Sequence, residues 1–120
     1  MHIEESCSGE TLVISLSGSE IGTRELSKAK DIFDSVPAEC SSLRLDLSQL
    51  SYINSSLLSL IVGTCRRITG NGGEVCIHNP TSFVRRILHI TNIEDIVGIF
   101  DGESGKIKTS LVYDLPPVKE

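Results

Sequence analysis

Residues 43–79 read LRLDLSQLSYINSSLLSLIVGTCRRITGNGGEVCIHN, and the changes of period along that stretch decide the fold class. Leu43, Leu45 and Leu47 alternate with Arg44 and Asp46, as in a strand with one apolar face. Further on, Leu57, Leu60, Ile61, Cys65 and Ile68 fall on one helical stripe, widened by Leu58 and Val62. The polar side is left with Ser59, Gly63, Arg66 and Arg67, so a helix opened by Asn54 or Ser55 and running to about Thr69 should be well buried. Asn71-Gly72-Gly73 breaks it with residues that tolerate positive φ. Glu74 to His78 is then another short strand. Strand, buried helix and strand in that order imply parallel pairing through a right-handed crossover.

The same reading extends in both directions. Upstream, Ile3 to Cys7 and Thr11 to Ser17 read as strands joined at Ser8-Gly9-Glu10, a hairpin. Thr23 can cap a helix to about Val36, with Leu26, Ala29, Phe33 and Val36 at helical spacing and Pro37 ending it. Downstream, Asn79-Pro80 offers a cap and a proline for a third helix whose buried face would be Phe83, Val84, Ile87, Leu88 and Ile90. Asn92 suits a left-handed stop, and Ile96 to Phe100 a last strand. The expected fold is α/β, in the order β-β-α-β-α-β-α-β: a mixed, mostly parallel sheet with an N-terminal antiparallel hairpin and helices packed on it.

With 120 residues the chain has room for one domain. A net charge of −5 argues against a nucleic-acid surface, which needs a basic stripe. No apolar run nears the roughly 20 residues that span a bilayer, and no basic-then-apolar leader opens the chain, so no membrane partner and a cytoplasmic location are expected. The four cysteines, Cys7, Cys40, Cys65 and Cys76, form no C-x-x-C pair and have no histidine at zinc-ligand spacing. They are expected reduced and structural, with no metal and no cofactor.

Chemistry concentrates at Asn54-Ser55-Ser56, at the mouth of the central helix. A first helical turn has unpaired N–H groups and a partial positive charge, which a hydroxyl can cap and a phosphate can occupy. Asn and Ser are also among the best cap residues, so the same cluster can serve capping alone. An enzyme would need a base for the serine. Ser55 lacks a Gly-x-Ser-x-Gly elbow, and His2, His78 and His89 have no spacing that ties them to it. The arginine pairs Arg66-Arg67 and Arg85-Arg86 read as solvated helix faces.

Taken in order, these pieces resemble the STAS domain, the family named for sulfate transporters and anti-sigma factor antagonists. Asp46 matches the family's strand aspartate, Ser55 the serine after the motif aspartate, and Ser56 the next hydroxyl. Gly72-Gly73 matches the family turn, and NPTSFVRRILHITNIEDIVGIF (79–100) the third helix with the turn and short strand after it. Asn54 stands where the family has Asp, and Leu57 where it has Gly. A glycine-rich turn is shortened to Ser19-Glu20-Ile21-Gly22. In the antagonist branch the resemblance implies a protein-binding switch and no enzyme. The partner would be an anti-sigma factor of the serine kinase type, Ser55 the phosphoacceptor with Ser56 the second candidate, and a serine phosphatase would reverse the modification. The partner surface would comprise Tyr52, Asn54, Ser55, Ser56, Ser59 and Arg66. The alternative is a non-phosphorylated STAS scaffold in a signalling or lipid-transport complex.

The resemblance covers roughly Ile3 to Phe100, so a domain over residues 1–100 is expected, with 101–120 as a C-terminal extension. There Ile107, Thr109, Leu111 and Tyr113 alternate with Lys106, Lys108, Ser110 and Val112. This predicts an added antiparallel strand after the turn 101–105, on its own sheet edge or on that of a second copy in a homodimer. Pro116-Pro117 begins an end expected to be disordered.

Overall fold

The computed structural model describes residues 1–37 and 39–101. Strands β1 (His2–Ser8) and β2 (Thr11–Gly18) form the expected hairpin, closed by Gly9 at φ +67°. Helix α1 (Thr23–Asp34), β3 (Ser42–Leu50), α2 (Ser55–Gly70), β4 (Glu74–His78), α3 (Ser82–Ile90), a 3-10 turn (Ile93–Asp95) and β5 (Gly98–Phe100) come next along the chain. The five strands lie in chain order β1-β2-β3-β4-β5, antiparallel at the first pair and parallel at the other three.

That order has a structural consequence. Each parallel crossover steps to the next strand in the same direction, so right-handed connections put α1, α2 and α3 on one face of the sheet. The core lies between them. Ile14, Leu45 and Ile77 face each other across β2, β3 and β4. They pack with Ala29 and Phe33 of α1, Leu57, Ile61, Cys65 and Ile68 of α2, and Val84 and Leu88 of α3. Burying each Leu or Ile is worth about 1.5–3 kcal/mol. Burial pushes the Cys65 thiol up to about 12, which suits a small core hydrophobe and no nucleophile.

Several local expectations change. Gly22, and not Thr23, precedes the first turn of α1, and no side chain caps it. Strand β3 continues to Leu50, three residues past the alternating segment, because Ser17 and Gly18 pair with Gln49 and Leu50 after a register shift that places one extra residue in β3. Pro80 is not the first residue of α3. Asn79 turns left-handed at φ 52°, Thr81 takes the cap position and the helix begins at Ser82. Asn92 does adopt the left-handed stop, at φ 59°, but a 3-10 turn comes after it and β5 is shortened to Gly98–Phe100.

Some polar side chains read as solvated are engaged. Arg67 donates to the Phe33 carbonyl at 2.8 Å, tying α2 to the C-terminal end of α1. Arg85 pairs with Asp101. His89 meets the buried Glu94 at 2.5 Å, with Glu94 supplied by the 3-10 turn. The strand expected at 106–113, and any dimer through it, lies outside the described residues.

Candidate functional site

The serine cluster stands at the carboxyl end of the parallel strands, where open α/β sheets gather their connecting loops. Three loops meet there and are tied together. The Ser51 amide and hydroxyl both donate to the Gly18 carbonyl, at 3.0 and 3.3 Å, joining the β3–α2 loop to the end of β2. The Thr81 hydroxyl donates to the Leu50 carbonyl at 2.8 Å, joining the β4–α3 loop to the end of β3. The N-terminal ammonium donates to the Glu20 carbonyl at 2.6 Å. Gly18, at φ +116°, admits this close approach, since a side chain there would meet the Met1 backbone at 3.0 Å.

Asn54 settles which residue opens α2. It has extended backbone at φ −109° and ψ 175°, and its Oδ1 accepts the Leu57 amide at 2.9 Å while its carbonyl accepts the Leu58 amide. Ser55 and Ser56 are therefore the first two helical residues. Both are exposed, and no hydrogen bond to either hydroxyl is present among the described residues. Leu57, where the resemblance has glycine, turns its side chain fully into the core.

The residues expected at the partner surface separate into two places. Tyr52, Ser55, Ser56 and Ser59 are exposed at the helix entrance, Ser59 one turn beyond Ser55. Asn54 adjoins them but is half-buried and committed to its cap. Arg66 is exposed but lies about 16 Å further along α2. There it lines an open groove of about 550 Å³ with Thr69, Ile93, Asp95 and Ile96. Asp46 sits in β3 below the rim, where its Oδ1 accepts the Ser48 amide at 3.0 Å and hydroxyl at 2.7 Å. Its role is to shape the strand end.

One rim residue was expected in the core. Phe83 is 45% exposed and stacks on Tyr52, itself 42% exposed, with ring centroids 6.0 Å apart and planes 12° from parallel. Ile90, also expected inside, is 69% exposed. At 100° per residue, both point well away from Val84 and Leu88, the side chains that enter the core. The apolar stripe of α3 is wider than the surface it covers. The sequence carried no signal separating its inner half from its outer half.

The histidines are occupied elsewhere. His2 contacts Glu4 at 3.1 Å on β1. His78 stacks on Phe100 at 4.4 Å, and burial, reinforced by the Arg44 charge, lowers its pKa against a smaller opposing effect of Asp46. His89 is held by Glu94. Among the described residues no cluster of His, Cys, Asp and Glu could hold a metal ion, and no helix is long and apolar enough to cross a membrane.

A mixed five-stranded sheet with a serine-led buried helix at its carboxyl rim defines a class of domain, and comparison with known proteins gives its family. Residues 2–105 match the STAS domain, and the chain belongs to that family. The anti-sigma-B factor antagonist of Bacillus subtilis is 29% identical over 68 residues, 57% of this chain and 62% of that protein. The anti-sigma F factor antagonist of Paenibacillus polymyxa is 31% identical over 65 residues, 54% of this chain and 56% of that protein. The chain thus spans a little over half the length of these relatives. The phosphorylated form of the Bacillus cell fate determinant SpoIIAA superposes with a TM-score of 0.70 at 17% identity, over 85% of this chain and 92% of that one, a likeness of fold.

Proposed function

We propose that the chain is a partner switch: it sequesters an anti-sigma factor of the serine kinase type, and phosphorylation of Ser55 releases that partner. The observation that carries this reading is the exposure of Ser55 at the first helical position, directly behind an asparagine that already caps the turn. The cap frees the serine from a structural duty. A phosphate there adds about −1.5 to −2 charges beside the positive end of α2, which tolerates them without unfolding. The same charge set into a packed interface repels and desolvates a partner. A serine phosphatase restores the binding form. The relatives named as antagonists of anti-sigma factors support the partner class.

The test is partner capture by Ser55→Asp and Ser55→Ala. Asp should lose the anti-sigma factor and Ala should keep it. Equal affinity of the two variants would overturn the switch. A second reading has its own observation: Asn54 carries no charge where the resemblance has Asp, and its side chain is spent on the Leu57 amide. A STAS scaffold in a signalling or lipid-transport complex would bind its neighbours without turning over phosphate. Phosphopeptide mass spectrometry of protein from its own cells separates the two, since only the switch carries phosphate on Ser55 or Ser56.

A further inference from the structure

The end of the helix layer remote from Ser55 carries surface that the switch does not use. Among the described residues, the large apolar side chains that stand exposed are Tyr52, Phe83, Ile90 and Ile96. Tyr52 and Phe83 stack on each other at the serine rim. Ile96 lines the open groove between the last turns of α2 and the 3-10 turn. Ile90 closes α3 directly before Thr91, which lines the same groove. Ile93, almost wholly buried, gives the groove an apolar floor. Apolar side chains gathered around a concave surface mark a contact site, where single scattered ones do not.

The charges of the groove decide what fits it. Arg66 of α2 supplies a cation to one wall and Asp95 of the 3-10 turn an anion to the other. Both are exposed, and neither side chain has a hydrogen bond or ion pair among the described residues. A ligand of one sign is drawn to one wall and repelled by the other. A second copy of the same surface has the right order of charges. A two-fold axis makes every contact occur twice with the partners exchanged, so Arg66 of each copy faces Asp95 of the other.

We propose that this groove is the interface of a homodimer, in which Arg66 and Asp95 pair across a two-fold axis in both directions and Ile90 and Ile96 are buried between the copies. Burial of the isoleucines supplies the driving force, and the charge pairs fix the register. Ser55 lies about 16 Å from Arg66 along α2 and stays outside the interface. Each copy therefore keeps its serine rim open, whether or not that serine is phosphorylated.

Sedimentation equilibrium of the full-length chain tests this. The wild-type chain should show a monomer–dimer equilibrium. Arg66→Asp sets two acids on the surface and Asp95→Arg two bases, so each variant alone should dimerise at least about tenfold more weakly. An equimolar mixture of the two variants restores both charge pairs, and its dimer constant should return to within about threefold of the wild-type value. Recovery on mixing also shows that both variants are folded. Ser55→Asp should leave the dimer constant unchanged, and a loss there would move the interface to the serine rim and overturn the proposal. A wild-type chain that stays monomeric up to about 1 mM, the weak end of the affinity scale, overturns it as well. So does a dimer that neither charge variant weakens, because the copies would then meet elsewhere, or a mixture that associates no better than its components.

Discussion

Asn54 Oδ1 accepts the Leu57 amide at 2.9 Å, so the asparagine closes the first turn of α2 and its neighbour Ser55 is left free. The capping duty thereby falls to Asn54 and not to the serine beside it. Asn54→Ala should lower stability by about 0.5–2 kcal/mol. Ser55→Ala, which removes no cap, should stay within about 0.5 kcal/mol of the parent. Urea denaturation of the two variants checks this, and a larger loss at Ser55 would mean that the serine is the cap.

The Tyr52–Phe83 stack joins the β3–α2 loop to the first turn of α3 and presents a flat apolar plate to solvent. Aromatic side chains are common energetic centres of interfaces. Phe83→Ala should weaken capture of the anti-sigma partner by roughly tenfold or more, while costing the domain only about 0.5–1.5 kcal/mol for the lost stack. Ser59→Glu should weaken capture with the melting curve nearly unchanged. A Phe83→Ala variant that binds normally would place the interface elsewhere on the rim.

His78 supplies a pH dependence. Its pKa is lowered from 6.5, first by burial and then by Arg44, with Asp46 partly opposing. The folded chain therefore takes up this proton less readily than the unfolded chain. The stability linked to it is fully present above pH 6.5 and is lost as pH falls from there through the folded-state value. His78→Gln should flatten that part of the stability profile, measured as urea midpoints on either side of pH 6.5. An unchanged slope in the variant would assign the acid sensitivity to other groups.

Gly72 and Gly73 serve different purposes. Gly72 lies at φ +87° with open space around it, whereas a side chain on Gly73 would meet the Cys40 carbonyl at 2.4 Å and Ile68 Cγ2 at 2.7 Å. Gly72→Ala should cost about 1–2 kcal/mol of backbone strain. Gly73→Ala should cost about 1–3 kcal/mol or more, because backbone must move. Gly72→Asn should recover most of the first loss, since asparagine tolerates the left-handed region. It offers nothing for the second position. Thermal melts of the three variants rank them, and a harmless Gly73→Ala would show that the Cys40 segment yields easily.

What the sequence determined by itself was the succession of elements and the place of the candidate site. The period-2 run at Leu43–Leu47, the helical stripe from Leu57 to Ile68 and the break at Asn71-Gly72-Gly73 are local patterns. Local backbone sterics and hydrogen bonding translate them directly into strand, helix and turn. The hairpin at Gly9 and the left-handed Asn92 were legible for the same reason, whereas the cap of α2 was narrowed only to Asn54 or Ser55 and the structure decided for Asn54. Tertiary structure alone decided which apolar side chains have something to pack against. Val84 and Leu88 enter the core while Phe83 and Ile90 of the same stripe stay outside, because a helical period reports a shared face and not the width of the surface that meets it. Likewise Arg67 finds the Phe33 carbonyl, and His78 and Phe100 meet across adjacent strands. These contacts follow from the strand order β1-β2-β3-β4-β5, which gathers α1, α2 and α3 on one face, and such long-range pairing leaves no mark on local periodicity.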